Sequence, residues 1–365
     1  MRTNSQVTQR SVSEDILYMG LDVHKNHINV TVMSDQAVIS QSHVAIGDVE
    51  SYVAGLQRKH PNSVLRAAYE AGFSGFATQR RLEALGVQTI VVNAADVPTT
   101  DKQRTSKSDR ADSWKICHAL RCDQLHAIWV PSVEHAGDRG LVRYRLPLKK
   151  ARSQSMSRIR MFLHQQGIAI PDEFDRSYWS KAFRAWLNDQ TMTSESSQMT
   201  YMLMLEEFEH ADAVVSKHMK LIKTLSESDR YRKNVELLCS IPGIGVLTAM
   251  VILTELGPID RFSSADRLAS YVGLVPMRHQ SGSSDRSMPI QRRAKTELRR
   301  MLVQSAWIAI GRANHFMDVY DRQRKIKRSQ VAIIVVARKI LNTIYAILKT
   351  SQPFTGSITS SAKLS

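Results

Sequence analysis

Tyr18-Met-Gly-Leu-Asp-Val23 is followed closely by His27-Ile-Asn-Val-Thr-Val-Met33 and then by Val38-Ile-Ser-Gln-Ser-His-Val44. These runs are short, strand-like and separated by tight connections, which predicts three hairpin-linked strands at the start of the folded chain. Asp22 stands inside the first of them. A carboxylate flanked by Met19, Leu21 and Val23 is costly to desolvate unless it has a partner or a metal.

Outward from these strands the pattern alternates. Residues Asp48–Lys59 read as a helix, Val64–Tyr69 as a strand and Phe76–Leu85 as a helix closed by Gly86. Val87–Val92 reads as another strand and Ser108–Leu120 as a helix. Three hairpin strands, then helix, strand, helix, strand and helix is the order of a ribonuclease-H-like fold. In that order the first strand, the fourth strand and the last helix each bring acids to one edge of the sheet. Glu70 ends the fourth strand, and Asp109 and Asp112 open the last helix, sharing a face by their i, i+3 spacing. An acid at a strand end is ordinarily a solvated loop residue. Four of them at these three places suit a cage for divalent cations, since paired Mg²⁺ ions need bridging carboxylates to hold them about 3.5–4 Å apart.

Fifty Lys plus Arg oppose thirty-four Asp plus Glu in 365 residues, a net charge of +16. Such a field favours polyanions, nucleic acid first. An acidic membrane surface is the alternative, but no long basic amphipathic helix or lipidation signal supports it. The longest aliphatic run, Val331-Ala-Ile-Ile-Val-Val-Ala337, is too short to span a bilayer. Residues Met1–Asp15 lack the apolar core of a secretory signal, and Cys117, Cys122 and Cys239 match neither a zinc spacing nor a disulfide framework. A cytoplasmic protein without membrane association is expected.

The expected organisation is a loose tail at 1–15, an α/β domain at 16–130, a basic helical linker with a coiled coil at 131–235, a mostly helical domain at 236–349 and a Ser/Thr-rich disordered tail at 350–365. Residues 139–171 contain eight Lys or Arg and no Asp or Glu. A basic run is ordinarily a solvated face, but one this one-sided is expected to track a phosphate backbone, through Arg143, Arg145, Lys149, Lys150 and Arg152. Tyr201, Phe208, Val215 and Ile222 repeat at seven residues, with Met204, Ala211, His218 and Leu225 in the second seam position. That pattern fits an intermolecular coiled coil and equally a long helix packed on its own domain. His218 reads as a polar seam residue and not as a ligand.

Ser240-Ile-Pro-Gly-Ile-Gly-Val-Leu-Thr-Ala249 looks like a helix-hairpin-helix turn, in which Gly243 and Gly245 bare backbone N–H groups at the start of a helix near Val246, a nest for phosphate. Further on, Ser281-Gly282 is by spacing alone an ordinary loop. Arg278, His279 and Arg286 flank it, however, and Arg292, Arg293, Lys295, Arg299 and Arg300 follow. A hydroxyl among cations suits nucleophilic attack on phosphate, because the cations stabilise the charge that develops.

These residues also carry a resemblance. Gly20-Leu-Asp-Val-His-Lys25, Tyr69-Glu-Ala-Gly72, Lys107-Ser-Asp-Arg-Ala-Asp112, Ile241-Pro-Gly-Ile-Gly245, Tyr271-Val-Gly-Leu-Val-Pro276 and Ser281-Gly282 stand in the order of the DEDD transposases of the insertion-sequence 110 family, which includes the pilin-gene inverting recombinases. The resemblance implies a RuvC-like domain holding Mg²⁺ (or Mn²⁺) through Asp22, Glu70, Asp109 and Asp112. It implies that Ser281 attacks the DNA backbone to give a transient phosphoserine, in a site shared between protomers of a homodimer or dimer of dimers. It also implies a structured RNA from the element that pairs with donor and target DNA. One departure is clear: where the family shows an Ile-x-Lys-x-Gly run, this chain reads Ile290-Gln-Arg-Arg-Ala294.

Three functions compete on the sequence. The first is a recombinase that cuts and rejoins strands of its own element. The second is a metal-dependent junction nuclease using water, which shares the acids but leaves the long C-terminal domain without a task. The third is a non-catalytic nucleic-acid scaffold, against which the four intact acids argue.

Overall fold

The computed structural model describes residues 15–98, 109–174, 178–281, 284–290 and 295–356, with only the backbone described for 109–110, 276–281 and 284–290. The chain forms two compact units, Met1–Val130 and Pro131–Ser365.

The first unit is built on β1 (Asp15–Val23), β2 (His27–Met33), β3 (Val38–Ala45), β4 (Ser63–Glu70) and β5 (Gln88–Val92) in the order β3-β2-β1-β4-β5. β1–β2 and β2–β3 pair antiparallel, β1–β4 and β4–β5 parallel. Alternation along β1 decides what lies on each face. Leu17, Met19 and Leu21 point into one core with Val53 of α1 (Val49–Lys59) and Leu82 of α2 (Ala77–Ala84). Tyr18 points the other way, towards Cys117 of α3 (Asp109–Arg121), as does Ala68 of β4 towards Ile116. Gly20 lies on this second face, and its missing side chain is what admits the helix: a Cβ there would stand 2.1 Å from the Ser113 carbonyl oxygen. The Cys117 thiol donates to the Tyr18 carbonyl at 3.1 Å, so α3 runs against the direction of β1 with its first turn towards the end that carries Asp22.

In the second unit α4 (Val133–Gln165) packs along α6 (Glu195–Ser226), with α5 (Lys181–Asn188) between them in the chain. The heptad seam of α6 is therefore satisfied inside this chain. Tyr201 and Phe208 bury against Ile159, Leu163 and Phe183, while Ile222 joins a core with Val142. His218 donates from Nε2 to the Leu141 carbonyl at 2.8 Å, a structural seam contact. Then come α7 (Arg232–Cys239), α8 (Val246–Leu256), α9 (Ala265–Val272), α10 (Thr296–Ile310), α11 (Asn314–Arg324) and α12 (Ser329–Thr350), around one large apolar core.

Three features depart from the sequence reading. The Ser281-Gly282 step, by spacing a loop, follows a strand: β6 (Pro276–Ser281) pairs antiparallel with β7 (Ser284–Ile290). The apolar segment around 331–337 extends through α12, a helix of 22 residues long and apolar enough, by length and composition, to cross a membrane; half of its most apolar window is buried in the unit. And the stretch expected as a disordered tail begins docked: Phe354 stacks on Phe316 at 5.6 Å and donates its N–H to Ser240 Oγ at 2.8 Å.

Candidate active site

Asp22 and Glu70 are brought together by register. Leu21 pairs with Tyr69 on parallel strands, so the next residues along, Asp22 and Glu70, end adjacent strands side by side. Both lie on the α3 face, two residues beyond Gly20 and Ala68. Over that end of the sheet stands the first turn of α3, with the backbone of Asp109 and with Asp112. The side chain of Asp109 lies outside the described residues. Ser113 anchors the turn, its hydroxyl 2.8 Å from Thr31 Oγ1 on β2.

Two of the acids already have hydrogen-bond partners. Lys115, itself buried, donates to Asp112 at 2.7 Å. His24 Nε2 donates to Asp22 at 2.9 Å. Among the described residues no three His, Cys, Asp or Glu side chains form a ready metal cluster. The side chains of Asp22, Glu70 and Asp112 offer carboxylate oxygens, which are hard ligands.

Beside Asp22 lies a polar strip that sequence reasoning missed. His24 stacks on His27 at 4.5 Å and His27 on His43 at 4.0 Å. His43 Nδ1 donates to Asn29 Oδ1 at 3.0 Å, and Asn29 is the cross-strand partner of Asp22. The signal was available: His27, Asn29 and Thr31 alternate with apolar residues along β2, which marks one polar face on a strand buried at nearly every position.

In the second unit Ser281 is the last residue of β6 and pairs with Ser284 on β7, leaving Gly282 and Ser283 between them. The Gly-Ser step is a two-residue hairpin signal that explains why a strand pair forms where a loop was expected. The Ser281 and Arg278 side chains, and Arg292 and Arg293 altogether, lie outside the described residues. Lys295, which leads out of this segment, sits 5.5 Å from the ring of Tyr271 and 3.7 Å from Glu255. Glu255 takes a two-pronged pair from Arg143, 2.5 Å and 2.8 Å. Burial pushes the Glu255 carboxyl up, but the Arg143 hydrogen bonds and the charges of Arg143, Lys295 and Arg139 outweigh it and hold it below the usual carboxylate range.

The other predicted phosphate contacts divide. Arg145 is buried against Glu297 and Arg152 pairs with Asp212 at 2.9 Å, so both, like Arg143, are engaged within the unit. The run 139–171 has no acids of its own, and these partners come from α6, α8 and α10. Lys149 and Lys150 are exposed on α4, and Arg299 is half-buried on α10. Gly243 has φ +89°, and a Cβ on it would stand 2.4 Å from the Ser305 carbonyl oxygen. It is thus required for packing on α10, while Gly245 stays exposed ahead of α8.

Comparison with known proteins is consistent from both ends. Residues 235–321 match the family model described as Transposase IS116/IS110/IS902 family, and residues 19–167 match a DEDD transposase model of the same group, together more than half of the chain. A putative transposase (y4qE) of Sinorhizobium fredii is 27% identical over 72% of this chain and 64% of its own length. The transposase for insertion sequence element IS1111A of Coxiella burnetii is 23% identical over 95% of this chain and 93% of its own length. The pilin gene-inverting protein of Moraxella bovis is 33% identical over 40% of this chain and 46% of its own length.

Proposed function

The chain belongs to the insertion-sequence 110 family of transposases, DNA recombinases by activity, and from that premise we propose how its residues cut and rejoin DNA. One observation carries the reading: Asp22 and Glu70 end adjacent parallel strands on the face covered by the helix whose first turn holds Asp109 and Asp112. The strand order β3-β2-β1-β4-β5, three strands antiparallel and the rest parallel, supports a RuvC-like assignment for this unit.

Asp22, Glu70, Asp109 and Asp112 hold the divalent cation, Mg²⁺ or Mn²⁺, which when bound supplies charge stabilisation at the scissile phosphate. Lys115 and His24 hydrogen-bond Asp112 and Asp22 and keep the carboxylates oriented. Ser281 is the nucleophile. Its Oγ forms a bond to phosphorus and gives up its proton, while the bond from phosphorus to one strand oxygen breaks and that oxygen leaves as a protonated hydroxyl. A hydroxyl of the exchanged strand then reverses the step and frees the serine, so bond energy is conserved without ATP. Ser281 ends β6, beside its cross-strand partner Ser284. Donor and target DNA are the substrates, a structured RNA of the element is the guide, and the acting form is a homodimer or dimer of dimers in the cytoplasm. Lys149, Lys150 and Arg299 contribute phosphate contacts.

A covalent-adduct assay tests this. Protein, element-junction DNA, the element-encoded RNA and Mg²⁺ are mixed, denatured and examined for protein–DNA linkage. Wild type should give an adduct that both Ser281→Ala and Asp112→Asn lose. Cleavage without an adduct makes water the nucleophile and refutes the serine assignment.

A further inference from the structure

We propose that the trough beside Asp22 on β2 and β3 is a second DNA subsite, in which the buried amide of Asn29 donates to a non-bridging oxygen of a phosphodiester flanking the one held at the acids. The inference rests on the recombinase reading above and names a contact that reading does not contain.

The site is built. A cavity of about 290 Å³ is lined by Asn29, Val30, Gln41, Ser42, His43 and Ser113. That is the lower end of ligand-pocket volumes, room for one backbone unit and not for a large cofactor. Asn29 is 7% exposed, yet its Nδ2 has no hydrogen-bond partner among the described residues. A buried amide donor left unsatisfied is costly, and such groups in native proteins call for an explanation. Its own carbonyl oxygen is already taken by His43 Nδ1–H. The polar atom of Asn29 left without a partner is therefore a donor.

The surroundings select the same ligand. Among the described residues no carboxylate lines the cavity, and Thr31, the next residue on this face, has its hydroxyl engaged by Ser113 and by Gln41 Nε2 at 3.3 Å. The unpartnered donor of Asn29 calls for an acceptor. A phosphodiester oxygen only accepts. Position points to the strand being cut: Asn29 is the cross-strand neighbour of Asp22 on the same face of the sheet, so an occupant of the trough lies next to the acids. Neutral donors hold such an oxygen without adding cations that would compete for the carboxylates. The His24–His27–His43 stack fixes the imidazole that orients the amide.

The test pairs Asn29→Leu with DNA lacking one charge. Full-length protein with the element-encoded RNA binds element-junction DNA under Ca²⁺, carrying a single methylphosphonate at each position flanking the cut in turn. Wild type should lose about tenfold in affinity at one flanking position, the loss of a charge-assisted hydrogen bond. Asn29→Leu should lose about as much on unmodified DNA and be indifferent to the methylphosphonate there. Its thermal midpoint should stay near that of wild type, because removal of an unsatisfied buried donor offsets loss of the hydrogen bond from His43; a purely structural asparagine would lower it. An Asn29→Leu protein that binds as wild type, that still shows the full methylphosphonate penalty, or that shows it only when the modification is in the RNA, overturns the proposal. Wild type that binds this DNA but never cuts it in Mg²⁺ overturns the recombinase mechanism instead.

Discussion

At Gly20 the approach of two elements is settled by one absent methyl group. A Cβ would lie 2.1 Å from the Ser113 carbonyl oxygen, 2.3 Å from the Cys117 nitrogen and 2.6 Å from the Cys117 Cβ, and two of these are backbone atoms that cannot step aside. Gly20→Ala must push α3 off the sheet, carrying Asp112 with it. We expect a loss of about 3 kcal/mol in urea unfolding, at the upper end for overpacking, together with loss of strand cleavage. Cys117 reports the same contact. Burial pushes its thiol up to about 11, whereas Cys122, in the turn just after the same helix, is exposed. In native protein at pH 8, iodoacetamide should label Cys122 rapidly and leave Cys117 untouched. Mass spectrometry of the digested protein reads this, and labelling of Cys117 as fast as Cys122 would contradict the packing of α3 on β1.

At the scale of elements, α4 is tied to α8 by Arg143–Glu255, to α10 by Arg145–Glu297 and to α6 by Arg152–Asp212. Basic residues that read as a phosphate-tracking face are in these three cases buried or half-buried ties between helices. Glu255 makes the consequence measurable. Its folded carboxyl is depressed despite burial, so its contribution to stability is present above the ordinary carboxylate pKa of about 4.3 and is lost as pH falls through the lower folded value. Glu255→Gln cannot titrate. It should be less stable than wild type by about 2 kcal/mol at pH 7, and the difference should shrink below about pH 4. Thermal midpoints of the two proteins from pH 7 to pH 3 check this; a constant gap would mean that Glu255 carries no depressed pKa.

For the whole molecule the excess of cations sets the behaviour towards DNA of any sequence. A net charge of +16 predicts that non-specific affinity falls by about a thousandfold between 50 and 200 mM salt. The helix ties refine which cations count. Replacing exposed Lys149 and Lys150 by Ala should flatten the slope of log affinity against log salt by about 2, one for each phosphate that is no longer neutralised. Arg145→Ala, deep in the second unit, should leave the slope alone and lower stability instead. Equal effects of the two changes on the slope would show that Arg145 reaches DNA after all.

Much of the first unit was legible because its signals are local. Strand alternation, helix periodicity and an i, i+3 pair of acids are each contained in a few residues, and together they gave the order of strands and helices along the chain. The heptad of α6 was legible as a seam, but not its partner, since period 7 specifies a face and not whose helix covers it. Pairing at a distance was invisible in the same way. Nothing in 139–171 announces that Glu255, Glu297 and Asp212 neutralise three of its arginines, because ion pairs follow spatial proximity and leave no spacing in the chain. Asn29 is the sharpest case: the sequence marked a polar residue on an apolar strand, but only the folded sheet, by setting it opposite Asp22 with its oxygen bonded to His43 and its nitrogen unpartnered, gave that polarity a direction.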